Sequence, residues 1–235
     1  MDVTEIRQLV ALEQTHWWYR ERRAILRGEL RRLARSGRPG RALDLGAAGG
    51  GNTRVLVEEG WDATATDCSE EAVEVARQRG LRAMVADARW PPVESASVDL
   101  VTAFDVLEHV EEDYLVTEQM ARVLRPGGHA LIAVPCDMSL WSEHDDAVGH
   151  LRRYDRASLV TVVEKAGLRV ERLWSWNVLL RPLVARHRRG STGSDLRKLP
   201  FAVNAGLSAV VMAERYLPVK SCKGVTLFLR ARLGG

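Results

Sequence analysis

The 235-residue chain has only three cysteines, Cys68, Cys136 and Cys222. They are too few and too scattered for a disulfide framework or a zinc site, and they fit a reducing, cytoplasmic setting. No apolar run is long enough to span a membrane. The opening MDVTEIRQLVALEQ carries acids where a secretory leader needs a basic and then an apolar run. Internal repeats and low-complexity segments are also missing. The formal charge is only +3, which argues against nucleic acid as partner. That charge is unevenly spread, however. Nine arginines lie between Arg20 and Arg41, opposed only by Glu21 and Glu29, and a second basic run covers Arg186 to Arg189. A solvated helix face explains these runs most simply. An anionic substrate or an acidic membrane surface is the alternative.

What is present is a regular alternation. Residues 2–35 have helical spacing, with Leu26, Leu30 and Leu33 on one face. Strands are expected at RALDLG, WDATATD, LRAMVAD, VDLVTAFD, HALIAVP, LRVERLWSW and GVTLFLRARL. Helices are expected at 52–59, at EEAVEVARQR behind the N-cap Ser69, across VEEDYLVTEQMARVL, and at RASLVTVVEKA behind Asp155. Gly60, Gly80 and Gly167 end helices. Strands and helices at this interval imply right-handed crossovers and a mostly parallel sheet. Residues 177–222 interrupt the pattern with a basic segment, the flexible STGSD and an apolar helical stretch from Phe201 to Leu217.

The first strand runs into Gly46-Ala47-Ala48-Gly49-Gly50-Gly51. Glycine between a strand and a helix lets a ligand approach the backbone closely. The dinucleotide pattern GxGxxG is broken by Ala48, and Asp44 does not suit a pyrophosphate. Asp44 suits a cationic ligand, or a loop braced by carboxylate-to-backbone bonds. Asp67 ends the second strand, where an acid points at ribose hydroxyls. Asp87 ends the third, where an acid can accept from an adenine amine. Three acids in phase with three strands, around one glycine loop, describe a nucleoside site without a phosphate.

With LDLGAAGGGNT, TDCSEEAVEVAR, DARWPP, VDLVTAFDVLEHV and RVLRPGGHALIAVP in place, the chain resembles the class I S-adenosylmethionine-dependent methyltransferases of the small-molecule type. HWWYRERR and LWSEHDDAVGHLRRY resemble a bacterial subgroup of that class, of the methyltransferase type 11/12 kind. The resemblance implies an α/β, Rossmann-like, doubly wound sheet of seven strands with the last antiparallel. It implies an N-terminal helical lid over 1–40 and an S-adenosylmethionine-binding catalytic domain over 41–235, with the helical insertion at about 177–222. It places Gly46, Ala47, Ala48 and Gly50 under the methionine part. Asp67 takes the ribose, Cys68 touches the adenine, Asp87 and Ala88 hold its edge, and Phe104, Asp105 and Val106 line the sulfonium side. Tyr19 and Arg22 are candidates for the methionine carboxylate, because a guanidinium fork matches a carboxylate. Trp17 and Trp18 either shield the site or pack the lid.

Methyl transfer from a sulfonium needs alignment, exclusion of water and an unprotonated nucleophile. It needs no metal, and the spacing of His144, Asp145, Asp146 and His150 matches no strong ligand signature. His109 and His150 compete for the role of base, with Tyr154 as a further catalytic candidate. The segment from Glu143 to Asp155 leaves the fifth strand on the ligand edge of the sheet. Its His144, Asp145, Arg152 and Arg153 either clamp a substrate or form a self-satisfied ionic network. The leading expectation is methylation of oxygen or nitrogen on a small polar or anionic metabolite or natural-product intermediate, by a monomer or homodimer. The alternatives are a lipid-linked or peptide acceptor at a membrane surface, and a cofactor-binding regulator without turnover. Methylation of nucleic acid is disfavoured, because FDVL stands where a base-flipping enzyme carries an NPPY-like tetrad.

Overall fold

A computed structural model describes residues 10–35, 37–188 and 199–234. In chain order the elements are α1 (Trp17–Leu33), β1 (Arg41–Leu45), α2 (Gly51–Glu58), β2 (Asp62–Asp67), α3 (Glu70–Gln78), β3 (Arg82–Val85) and β4 (Val98–Phe104). After a short 3-10 turn at Leu107–His109 come α4 (Asp113–Val123) and β5 (Leu124–Pro135). A second such turn, Met138–Leu140, leads to α5 (Glu143–Ala147) and α6 (Arg156–Lys165). The chain closes with β6 (Leu168–Trp176), α7 (Arg181–Arg188), α8 (Phe201–Glu214) and β7 (Thr226–Leu233). All seven strands form one sheet in the order β3-β2-β1-β4-β5-β7-β6. Only β7 is antiparallel to its neighbours β5 and β6. This is the Rossmann-like sheet expected.

Local chemistry sets the helix ends. Ser69 Oγ accepts from the Ala72 amide at 3.2 Å and starts α3. Asp155 and Ser158 cap α6 reciprocally, at 2.7 and 3.0 Å. The helix expected over 2–35 is broken at residues 13–16, where His16 turns extended and caps α1 through the Trp18 amide; residues 1–9 lie outside the described residues. α5 was not foreseen, because five residues are too few to show a periodic pattern; α7 and α8 fall in the helical insertion expected at about 177–222.

Strand alternation divides the core between two sheet faces. Val101, Ala103, Ile132 and Val134 face α4 and α6. Leu100, Phe104, Leu131, Ala133 and Phe228 face the other way, where Leu26 and Leu30 of α1, both fully buried, meet them. α1 is therefore packed into the main core along much of its length. Its arginines are largely spent on ion pairs. Arg27 and Arg31 hold Glu59. The buried Glu29 takes Arg172 and Arg230, each at 2.8 Å. Among the described residues no helix is long and apolar enough to cross a membrane.

Candidate functional site

The glycine loop leaves β1 with Gly46 at φ +62°, and a Cβ there would lie 2.5 Å from Val106 Cγ2. Val106 therefore seats the loop. Ala48 adopts φ +46° where glycine would be unstrained, and its amide donates to Asp67 Oδ2 at 2.8 Å. The other oxygen of Asp67 accepts from the Ser69 amide at 2.9 Å. Asp67 thus ties the loop to the start of α3, with lone pairs left for a ligand. Cys68 beside it is exposed. Asp87 is bound by Arg89, whose Nη2 lies 2.7 Å away, and these hydrogen bonds hold its carboxyl below the usual range. Ala88 packs at the edge of the core. Asp44 is not a ligand. It is fully buried and accepts from the hydroxyls of Thr53 and Thr102 at 2.6 and 2.5 Å, with the Thr53 backbone adding to the brace. Burial pushes its carboxyl up to about 6.

A cavity of about 540 Å³ joins the loop to the side beyond β5. Gly46, Ala47, Ala48, Phe104 and Asp105 form its floor, and Trp17, Trp18, Tyr19 and Arg22 of α1 form one wall. Arg22 is buried and pairs with Asp105 at 2.7 Å. Its guanidinium sits 5.6–5.8 Å from the ring centroids of Trp18, Phe104 and Phe228, a cation–π cage. Its Nη2 has no hydrogen-bond partner among the described residues. That unpaired donor, itself shut off from solvent, is a candidate contact for an anionic ligand group. Burial, then the charge of Asp105, raises the Tyr19 phenol well above its ordinary value, so it serves as a donor. Sequence reasoning missed Glu13, which lies over Gly51, is 5% exposed and pairs with Arg79. Its one signal was a carboxylate just before the HWWYRERR stretch.

Beyond β5, His109, His144, His150 and Arg153 line the same cavity. His150 Nδ1 lies 2.7 Å from Asp145 Oδ1; in the tautomer with the proton on Nδ1, Nε2 carries the lone pair. Nε2 lies 3.9 Å from Glu108 Oε1. Glu108 is fully buried, with no hydrogen-bond partner on either carboxylate oxygen among the described residues. Burial, reinforced by Asp105, raises its carboxyl well above the usual range. The His109 ring stands 4.8 Å from that of His150, and its Nδ1 contacts Gly149 O at 3.2 Å. Burial, then His150, lowers its value. Glu108, His109 and His150 also bring three potential metal-ligand atoms within 4.8 Å of one another. Sequence spacing hid this group, because His150 comes from a different loop.

Four expected site residues need correction. Asp145 is 0% exposed and sits behind His150, where Arg153 grips it through Nε and Nη2 at 2.9 and 3.0 Å. Arg153 itself is spent on that pair and on Cys136 O. Arg152 bonds Asp113 and Glu111 O, at 3.0 and 2.8 Å. Tyr154 is 3% exposed and donates to Asp113 at 2.6 Å; it does not line the cavity. A charge taken into the interior needs a partner close by; for Arg153 it is the loop's own Asp145, and for Arg152 it is Asp113 at the start of α4. The far wall is apolar instead. Leu180, Leu183 and Val184 near or on α7, with Leu199 and Leu207 near or on α8, come from the insertion.

Comparison with known proteins agrees with this geometry. Residues 17–173 match the family described as methyltransferase domain. The "Probable S-adenosylmethionine-dependent methyltransferase" of Mycolicibacterium smegmatis is 27% identical over 175 residues, covering 73% of this chain and 66% of that protein. The ubiquinone biosynthesis O-methyltransferase of Bordetella avium is 32% identical over 143 residues, covering 54% and 59%. The match thus spans less than two thirds of either relative. Among solved structures, Haemonchus contortus phosphoethanolamine N-methyltransferase 2, in complex with S-adenosyl-L-methionine, superposes with a TM-score of 0.60. It does so at 20% identity, over 84% of this chain and 49% of that one. That likeness concerns the fold.

Proposed function

The chain belongs to the methyltransferase-domain family; from that premise we propose that it is an S-adenosylmethionine-dependent methyltransferase whose acceptor is a hydroxyl oxygen on a small, largely apolar molecule. The observation that carries this reading is the Asp145–His150 pair, which leaves Nε2 of a cavity-lining residue with only the 3.9 Å approach of Glu108, while the arginines nearby are already paired. A hydroxyl needs its proton removed as the new bond forms, and a neutral imidazole fixed in one tautomer is suited to that. The arginines around His150 that would have recognised an anionic acceptor are occupied, and the far wall is mostly leucine and valine, with His187 and Arg188 among them. The volume of about 540 Å³ lies within the range of small-molecule sites. The name of the Bordetella relative points to oxygen as well.

When bound, S-adenosylmethionine supplies an electrophilic methyl group. Asp67 would receive the ribose hydroxyls and Asp87 with Ala88 the adenine edge, the former through lone pairs its loop bonds leave free. Arg22 and Tyr19 would hold the methionine carboxylate. Trp17 and Trp18 cover the reacting region from water. His150 Nε2 takes the acceptor proton, and Asp145, held by Arg153, keeps the imidazole in the tautomer that can do so. His109 flanks that position.

Paired phenol and aniline isosteres test the reading. The wild type should methylate the phenols. His150→Ala should lower that turnover by about 10²–10⁴-fold, the usual worth of a general base, with cofactor affinity within about twofold. Equal or better turnover of the anilines, unaffected by His150→Ala, would sink it.

A further inference from the structure

α8 is inside out. A helix on the surface of a water-soluble domain ordinarily shows its polar side to solvent. The three polar residues of α8, Asn204, Ser208 and Glu214, all point inward instead. The Asn204 side chain accepts from the Trp17 amide at 2.8 Å and donates to Thr15 O at 2.9 Å. Ser208 donates to Glu21, and Glu214 accepts from the amides of Val178 and Leu179 at 2.8 and 3.2 Å. Phe201, Ala202, Val203, Ala205, Gly206, Ala209, Met212 and Ala213 are the residues left facing solvent. Phe201 is 87% exposed, and Tyr216, one turn beyond Met212, is 89% exposed. No charge interrupts this face. At the neighbouring α7, Leu183 is half exposed and also lines the cavity, so the apolar surface runs to the cavity mouth.

The charges around this face have one sign. Between β6 and β7 the chain carries nine lysines and arginines against Asp195 and Glu214. Arg181, Arg188, Arg215 and Lys223 are paired to acids elsewhere in the fold. Arg186 and Lys220 form no salt bridge among the described residues, although Glu29 and Glu214 attract Lys220 at longer range, and Arg189, Arg197 and Lys198, outside the described residues, add to the count from the sequence. An unbroken apolar face rimmed by cations matches a surface that is anionic outside and hydrocarbon beneath. It matches less well a protein partner, whose interface would need acids set against these particular positions.

We propose that the outer face of α8, with Leu183 and the basic residues beside it, docks onto an anionic phospholipid bilayer, and that an amphiphilic acceptor enters the cavity from that surface. The docking stands on α8 alone; the entry route rests on the hydroxyl-acceptor reading above.

The full chain should co-sediment with phosphatidylcholine vesicles containing about 30% phosphatidylglycerol, and raising the salt should release it. Binding to pure phosphatidylcholine should be at least about tenfold weaker, and the double variant Phe201→Asp, Met212→Asp should lose at least about tenfold in binding to the mixed vesicles. Both residues lie outside the cavity lining, so turnover of a short soluble phenol and the melting temperature should match wild type. Docking is overturned if wild type ignores the mixed vesicles, or if the double variant binds them as well. It is also overturned if the two substitutions dissolve a dimer of the chain in solution while leaving vesicle binding intact. Loss of vesicle binding with phenol turnover retained would separate the two readings in favour of both. Vesicle binding without turnover of any hydroxyl acceptor would leave docking standing and remove the entry route.

Discussion

At the ends of β1, β2 and β3 the candidate site groups are backbone amides and carboxylates held where strands stop. Beyond β5 they are side chains on short segments that hold one another through buried ion pairs. The first half is fixed by sheet geometry. Asp67 reaches the glycine loop because β1 and β2 are neighbours in register, Leu45 beside Thr66. The second half has no such frame. Asp145 is the hub there: Ser142, His150, Arg153 and Arg188 all bond its carboxylate. Position along a strand builds one half, and charge complementarity within a loop builds the other. The two should fail differently.

The largest effect is expected at that hub. Asp145→Ala leaves Arg153, 5% exposed, charged and without its partner. Breaking a buried pair from one side costs about 3–5 kcal/mol. Urea denaturation should show a loss of that size, together with the loss of turnover that follows from an unoriented His150. Asp67→Ala should leave stability almost untouched. If Asp145→Ala unfolds at the wild-type midpoint, the loop does not depend on its ion pairs and the contrast fails.

A somewhat smaller effect concerns pH. The Asp44 carboxyl is raised from 3.8 to about 6 by burial. A group whose folded value lies above its unfolded value keeps its proton longer in the native state. Its contribution to stability is therefore fully present below about pH 4 and declines as pH rises to about 6. A shift of about two units corresponds to about 3 kcal/mol. Asp44→Asn keeps the shape and can still bond Thr53 and Thr102, but it does not ionise. The stability of the variant relative to wild type should rise by about that amount between pH 4 and 7. Parallel stability curves would show that Asp44 ionises without cost.

Next in size is Asp67→Ala, which should weaken S-adenosylhomocysteine binding at least about tenfold in calorimetry, since a charged hydrogen bond is worth about 1.5–3 kcal/mol. Unchanged affinity would remove Asp67 from the cofactor half.

The same division explains what could be read from the chain. The strand positions, the caps at Ser69 and Asp155 and the loop at Gly46 follow from period-2 alternation, glycine placement and N-cap chemistry, all local in sequence, whereas the antiparallel β7 was expected only from the family resemblance. The places of Asp67 and Asp87 could be read in the same way, because a strand end is a position one can count to. The state of Arg153, Arg152 and Tyr154 was not readable. Whether an arginine faces a ligand or a loop acid depends on a fold of a few residues with no period. The pairing of Glu108 with the two histidines lay hidden because it joins the β4 end to a loop after β5. The reversed polarity of α8 was invisible for another reason. Phe201 to Leu217 reads as apolar, and which side of an apolar helix is buried depends on partners elsewhere, here Trp17, Glu21 and the Val178 amide.

The smallest expected effect separates the two kinds of arginine on α1. Arg22 is 6% exposed and faces Asp105 and the cavity. Arg31 lies two and a half turns on, with its side chain 66% exposed, holding Glu59 at 3.0 Å. An exposed pair of that kind contributes little, because water and salt screen it and two long side chains must be ordered to make it. Arg31→Ala should therefore leave both the melting temperature and S-adenosylhomocysteine affinity at wild-type values. Arg22→Ala should weaken that affinity, since it removes the unpaired donor beside Asp105. Equal losses at both positions would mean that α1 acts on the cofactor half through its overall charge. No loss at either would return Arg22 to the core as a packing residue and leave the carboxylate of the cofactor to Tyr19.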